Sequence, residues 1–291
     1  MSVFRFAPTP NGRLHLGHAY SALRNAECAA RAGGRLLLRF EDIDPTRCRP
    51  EFEAGILDDL AWLGVDCEPV PRRQSDHPTD YAAAFDALRR RGLVYPCFCS
   101  RGQLAARGGE RDPDGGALHR GPCVAVSLEE TRARLGAGEP AAWRLDEARA
   151  FAQVREPLFW AEFGEGESTA RAPAEPALWG DILLRGKDRP AVYHLAVVVD
   201  DARQGVTDVV RGQDLFASTS LHRLLQALLG LPAPRYRHHR LVRDAAGAKL
   251  SKSVKSESLA AVREQGYTAQ DIRAALGFGP PGARRLAVEL S

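Results

Sequence analysis

The sequence predicts an α/β protein built around a parallel sheet: a strand, a helix and a second strand open the chain, helical patterns with glycine stops follow, and two late apolar runs end in polar groups. VFRFA, Val3 to Ala7, alternates apolar and polar positions and reads as a short strand. From His18 the spacing of Ala19, Ala22, Leu23 and Ala26 reads as a helix. LLLRF, Leu36 to Phe40, reads as the second strand and runs into EDID, Glu41 to Asp44. A parallel sheet presents ligands at the carboxyl ends of its strands, so Glu41 is expected beside the turn that follows the first strand.

That turn, APTPNGRLHLGH, crowds prolines, glycines and histidines between Ala7 and His18. The N–H groups and positive dipole end of the following helix favour an anion there, and Gly12 and Gly17 allow a close approach to the backbone. His15 and His18 are three apart, so both can face one ligand and donate hydrogen bonds to a phosphate. The plainer reading is a pair of surface histidines.

Helical patterns continue through Phe52 to Leu63 and Tyr81 to Arg91, each closed by a glycine, Gly64 and Gly92. Arg101 to Arg120 is rich in glycine and charge and reads as an insertion or a long loop. LAVVV, Leu195 to Val199, ends in Asp200 and Asp201, and TDVV, Thr207 to Val210, ends in Arg211 and Gly212; both read as buried strands. Ser218 is placed to cap a helix with Leu221, Leu224, Leu225, Leu228 and Leu229 on one face, stopped by Gly230. From Glu257 two short helical patterns flank Gly266.

In 291 residues, 44% hydrophobic and 26% charged, the composition is that of a globular protein and excludes disorder. A net charge of +3 names no partner class. The cluster RYRHHRLVR, Arg235 to Arg243, is either a nucleic-acid surface or a solvated face. No signal peptide opens the chain and no run is long enough to span a membrane, so a cytoplasmic location is expected.

Six cysteines in this length do not make a disulfide scaffold. Cys28, Cys48 and Cys67 read as packed thiols. The other three lie in Cys97-Phe-Cys99 and His119-Arg-Gly-Pro-Cys123, which together supply three thiolates and an imidazole, a full set for tetrahedral zinc. The alternative is three reduced cysteines beside an unrelated histidine.

Late in the chain KLSKS, Lys249 to Ser253, follows the turn-like DAAG. Two lysines three apart can bring compact positive charge to a polyphosphate, although such a loop is also an ordinary solvated one. HLGH and KLSKS together resemble the two signatures of the class I aminoacyl-tRNA synthetases, with Leu16 and Leu250 where isoleucine and methionine are usual. Both replacements conserve volume. RFAPTPNGRLHLGHA, LLRFEDIDPTR, YHLAVVVDD and VVRGQDL are similar to the glutamyl branch of that class, and DLFAST with the short stretch after KLSKS to the glutamyl-queuosine tRNA(Asp) synthetases.

The resemblance implies a Rossmann-like catalytic domain in two halves, 1–95 and 191–240, a zinc-bearing insertion at 96–190, and the KLSKS loop with a short helical region at 241–291. It implies activation of L-glutamate by ATP and transfer to queuosine in the anticodon loop of tRNA(Asp), by a monomer. The rivals are a truncated glutamyl-tRNA synthetase charging the 3′ end of tRNA(Glu), a non-catalytic tRNA-binding paralogue, and a small-molecule nucleotidyltransferase. Glutamate contacts fall on Arg5, Phe6, Ala7, Pro8, Thr9, Glu41, Tyr193 and Arg211. The chemistry agrees, since two carboxylates and an ammonium call for guanidinium forks and an acid. ATP falls to His15, Gly17, His18 and Lys252, with Lys249 in support and Mg²⁺ arriving with the nucleotide. Asp200 and Asp201 either position ribose or metal-bound water, or are structural. Many members have tyrosine where His119 stands; with no open position or general base in view, the zinc is read as structural.

Overall fold

All four residues of strand β1 (Val3–Phe6) are buried, because elements cover both of its faces. The alternation visible in the sequence thus places Arg5 inside the protein. The computed structural model describes residues 1–69, 71–106, 109–121, 126–164, 169–243, 257–280, 284, 286 and 288–291. Helix α1 (Leu16–Arg31) starts two residues before the apolar spacing announces it, with His15 as its N-cap. Strand β2 (Arg35–Phe40) returns parallel to β1, Val3 opposite Arg35. Helix α2 (Pro50–Leu63) leads to the short β3 (Arg72–Arg73), which extends the parallel sheet beside β2.

Helix α3 (Pro78–Arg90) precedes the inserted region. Within it, β4 (Val94–Cys97), β5 (Ala142–Leu145) and β8 (Leu183–Arg185) form an antiparallel three-stranded sheet. Helices α4 (Arg101–Ala106), α5 (Leu128–Gly136) and α6 (Glu147–Gln153) and the hairpin β6 (Phe159–Phe163) with β7 (Thr169–Pro173) complete it. The stretch expected to be a loop therefore holds α4.

The chain then re-enters the main body through α7 (Tyr193–Arg203), β9 (Asp208–Gly212), α8 (Thr219–Leu229) and β10 (Arg235–His239). LAVVV lies in α7 and is not a strand. A run of five apolar residues fits a buried helix as well as a buried strand, and Asp200 and Asp201, which look like a polar strand end, continue the helix into ion pairs. RYRHHRLVR is in part a sheet strand: β10 buries Tyr236 and His239 while Arg235 and Arg240 are exposed, and β11 (Val242–Arg243) follows. Ser218 precedes α8 without a side-chain cap bond. Helices α9 (Leu259–Glu264) and α10 (Ala269–Ala275) and strand β12 (Glu289–Leu290), paired with β11, finish the described chain.

Strand β10 lies parallel to both β9 and β6, with β7 antiparallel at the outer edge. The fold is thus α/β with mixed sheets. The two main sheets meet where β1 runs beside β9, Thr207 N–H donating to the Val3 carbonyl at 3.0 Å. One apolar core packs α1, α2, α9 and α10 on this seam, and another joins α3, α7 and α8 to the inserted sheet. Among the described residues no helix is long and apolar enough to cross a membrane.

Candidate active site

The carboxyl ends of β1, β2 and β9 and the start of α1 surround a cavity of about 540 Å³. Its first wall is the HLGH turn. Gly17 N–H donates to His15 Nδ1 at 3.1 Å, and His15 N–H donates to His18 Nδ1 at 3.2 Å. Each Nδ1 is therefore an acceptor, which puts the proton of each neutral ring on Nε2 as a donor. The rings lie 3.8 Å apart between centroids. A Cβ on Gly17 would come within 2.9 Å of His15 Cε1, so the glycine is demanded by the imidazole it packs against as well as by any ligand.

The floor is a buried chain of charges. Arg5 Nε lies 3.2 Å from Asp201 Oδ1, and Arg39 Nη1 reaches the same oxygen at 2.8 Å. Arg39 Nη2 lies 3.4 Å from Glu41 Oε1. Burial would raise the Asp201 carboxyl, but Arg39 and Arg5 outweigh it and hold it below the usual carboxylate range. Glu41 goes the other way: burial pushes it up more than Arg39 and Arg5 bring it down. Burial also pushes the Tyr193 hydroxyl up to about 12, keeping it a neutral donor.

Asp200 is fully buried and engaged by Arg72, Gln74 and Tyr81, at 2.8, 2.8 and 2.9 Å. Neither Asp200 nor Asp201 lines the cavity. Both are held in buried ion pairs, the arrangement of the structural alternative.

On the far wall Arg211, from β9, is also buried and is gripped by His222, His238, Thr219 and the Leu215 carbonyl. The structure brings Arg5, Phe6, Ala7, Pro8, Thr9, His15, Gly17, His18, Glu41, Tyr193 and Arg211 to this one cavity. Lys249 and Lys252 lie outside the described residues. On the described sides of KLSKS, Val242 lines the cavity, and Leu259 N–H donates to the Leu14 carbonyl at 2.8 Å, one residue before His15.

Sequence reading missed the histidines behind Arg211 and missed Asn25. Asn25 is fully buried, donates to the Ser21 and Val210 carbonyls, and keeps a buried Oδ1 with no partner among the described residues. The available signal was a lone amide among the alanines and leucines of α1, and likewise a lone histidine among the leucines of α8.

A second cluster lies at the end of β4. Cys97, Cys99 and His119 bring one ligand atom each within 4.8 Å of one another, and Cys97 Sγ is 3.7 Å from His119 Nε2. Cys123 lies outside the described residues. On the other ring nitrogen, His119 Nδ1 is 3.2 Å from the Tyr95 hydroxyl, which donates to Asp181 at 2.7 Å. An imidazole with one nitrogen toward thiols and the other oriented by a polar partner has the arrangement a metal-bound histidine needs. Gly180 permits it, because a Cβ there would meet the His119 carbonyl oxygen at 2.5 Å. The donor set therefore fits zinc.

A family model described as tRNA synthetases class I (E and Q), catalytic domain, matches residues 2–286. The chain is 42% identical to the Glutamyl-Q tRNA(Asp) synthetase of Rhodobacter capsulatus over 95% of this chain and 100% of that protein. To the Glutamyl-Q tRNA(Asp) synthetase of Nitratidesulfovibrio vulgaris it is 39% identical, over 92% of this chain and 83% of the other. In three dimensions it is similar to a glutamate tRNA ligase from Elizabethkingia meningosepticum, crystallised in complex with its amino acid, with a TM-score of 0.73 at 24% identity. That likeness is one of fold, covering 94% of this chain, which spans 60% of the ligase chain.

Proposed function

The chain belongs to the class I tRNA synthetases (E and Q), in their catalytic domain, and from that membership we propose that it activates glutamate with ATP and transfers it to queuosine in the anticodon loop of tRNA(Asp). The activity is that of a ligase. The observation that carries the amino acid is the meeting of Arg5, Arg211 and Glu41 on one cavity. The destination rests on the relatives named for glutamyl-Q tRNA(Asp), matched over 100% and 83% of their lengths.

In the first step a glutamate α-carboxylate oxygen attacks the α-phosphorus of ATP, taken as its magnesium complex. The new bond joins carboxyl oxygen to phosphorus, and pyrophosphate leaves with the electron pair of the broken bond. No side-chain nucleophile is needed, because holding the reactants in line and stabilising the leaving charge do the catalysis. Arg5 and Arg211 supply the guanidinium groups for the two carboxylates. Glu41 receives the ammonium, whose charge draws this raised carboxyl back to its ionised form. His15 and His18 direct Nε2–H toward the phosphates, and Lys249 and Lys252 add positive charge to the departing pyrophosphate. In the second step a hydroxyl oxygen of the cyclopentenediol bonds to the glutamyl carbonyl carbon and the bond from that carbon to the phosphate oxygen breaks. AMP leaves with its electron pair, and the hydroxyl proton passes to the AMP phosphate or to water, leaving an ester.

One structural zinc is assigned to Cys97, Cys99, His119 and Cys123. When bound it ties β4 to the segment carrying His119, and the chemistry of transfer does not pass through it.

The test supplies labelled glutamate and ATP with purified tRNA(Asp), with and without queuosine, and with tRNA(Glu). Label is expected only on queuosine-bearing tRNA(Asp), surviving removal of the 3′ end. Label on the 3′ end of tRNA(Glu) would overturn the assigned product, and absence of label on every tRNA would overturn the enzyme.

A further inference from the structure

Arg211 has five N–H donors, and four are already committed. Nε donates to His238 Nε2 at 3.2 Å, Nη1 to His222 Nδ1 at 3.0 Å, and Nη2 to Thr219 Oγ1 at 2.7 Å and the Leu215 carbonyl at 3.1 Å. Among the described residues one N–H, on Nη1, is left over for a ligand. The grip is built by the fold: His238 stands opposite Arg211 in the β9–β10 register, and Thr219 and His222 sit three apart on one face of α8.

Because a guanidinium only donates, both imidazole nitrogens that face it must accept, and this fixes both tautomers. His222 carries its proton on Nε2, facing His194 Nδ1 at 3.3 Å. His238 carries its proton on Nδ1, donated to the Glu162 carboxylate at 2.9 Å. We propose that His222 and His238 are positioning residues for glutamate, acting as neutral acceptors that orient the guanidinium so that its remaining Nη1–H meets a substrate carboxylate.

The inference rests on the assignment of Arg211 to glutamate. The neutral state is supported by the surroundings: burial, then the charge of Arg211, hold His222 well below the ordinary histidine range, and burial lowers His238 as well. The charged and titratable groups that act on the pair are Arg211 itself, Arg5 from β1, Glu162 from β6 and His194 from α7, with the Tyr193 ring 5.8 Å from that of His222 between centroids. With Tyr236 of β10 beneath Arg211, they complete the enclosure. A protonated His222 would replace an acceptor by a donor and set a second cation against Arg211.

The experiment measures KM for glutamate, KM for ATP and kcat in transfer of labelled glutamate to queuosine-bearing tRNA(Asp). His222→Leu fills the volume among the leucines of α8 without an acceptor, and His222→Asn restores an oxygen near the place of Nδ1. His222→Leu is expected to raise the glutamate KM about five- to twentyfold while KM for ATP and kcat stay within about threefold, and His222→Asn to recover most of the loss. A glutamate KM unchanged in His222→Leu, or a rise that His222→Asn shares in full, would overturn the positioning role. Arg211→Ala separates the two claims. If it leaves the glutamate KM unaltered, the assignment of Arg211 itself has failed.

Discussion

Arg39 is wholly buried, yet its guanidinium faces three carboxylates: Asp201 at 2.8 Å, Glu41 at 3.4 Å and Asp200 at 3.8 Å. Removing one member of a buried ion-pair network costs about 3–5 kcal/mol; here Asp201 would keep Arg5 and Asp200 would keep Arg72, while Glu41 would lose its closest cation. Arg39→Met is therefore expected to lower the free energy of unfolding by that amount in a urea titration. Arg31→Met, which removes an exposed pair with Glu27 on α1, should cost less than about 0.5 kcal/mol. Equal losses in the two variants would show that the buried network is not what holds the floor of the cavity. Arg39 was visible in LLLRF only as a charge in an apolar strand. That it faces inward follows from carboxylates on α7, more than 150 residues later, which local patterning does not connect to it.

At the level of elements, what was legible in the sequence was what local physics decides. The HLGH turn could be placed because a strand, a helix N-terminus and two histidines three apart lie within a dozen residues, and the stops at Gly64 and Gly92 coincide with helix ends to within a residue or two. Helix α7 was misread as a strand because its apolar run is buried all round and shows no face. The cysteine cluster stands between these cases: Cys97 closes β4 and Cys99 follows two residues later, while His119 reaches them through a backbone contact with Gly180 that no spacing announces. If the cluster holds zinc, Cys97→Ser should lower both bound zinc and melting temperature, because the energy of ligation is then part of the energy of folding. Elemental analysis finding no zinc in the native protein would end that proposal.

Over the whole molecule, buried neutral histidines tie stability to pH. Burial, with Arg211 beside it, holds His194 at about 4, and burial holds His239 at about 4 against the opposing effect of the Arg240 carbonyl. In the unfolded chain both return to about 6.5, so below that pH the unfolded state takes up protons that the native state refuses. The contribution of these two rings is therefore complete above about pH 6.5 and is lost as the pH drops toward 4, by roughly 3 kcal/mol for each histidine. Proton NMR of the native protein should find both rings still neutral at about pH 5; rings that titrate near 6.5 would overturn the link. Urea midpoints also carry the opposite contribution of carboxyls that burial raises, Glu41 and Asp59, which stabilise the fold as the pH falls. The same long-range construction has a consequence during synthesis. Arg5 and Arg39 leave the ribosome early, whereas Asp201, which neutralises both, is separated from them by 196 and 162 residues. At translation rates of about 5–20 residues per second the first two strands wait roughly ten to forty seconds for their counter-charge. Until α7 arrives, burying those strands would leave Arg5 without its carboxylate and Arg39 with Glu41 alone, which disfavours closing the amino-terminal part of the sheet while the rest of the chain is made.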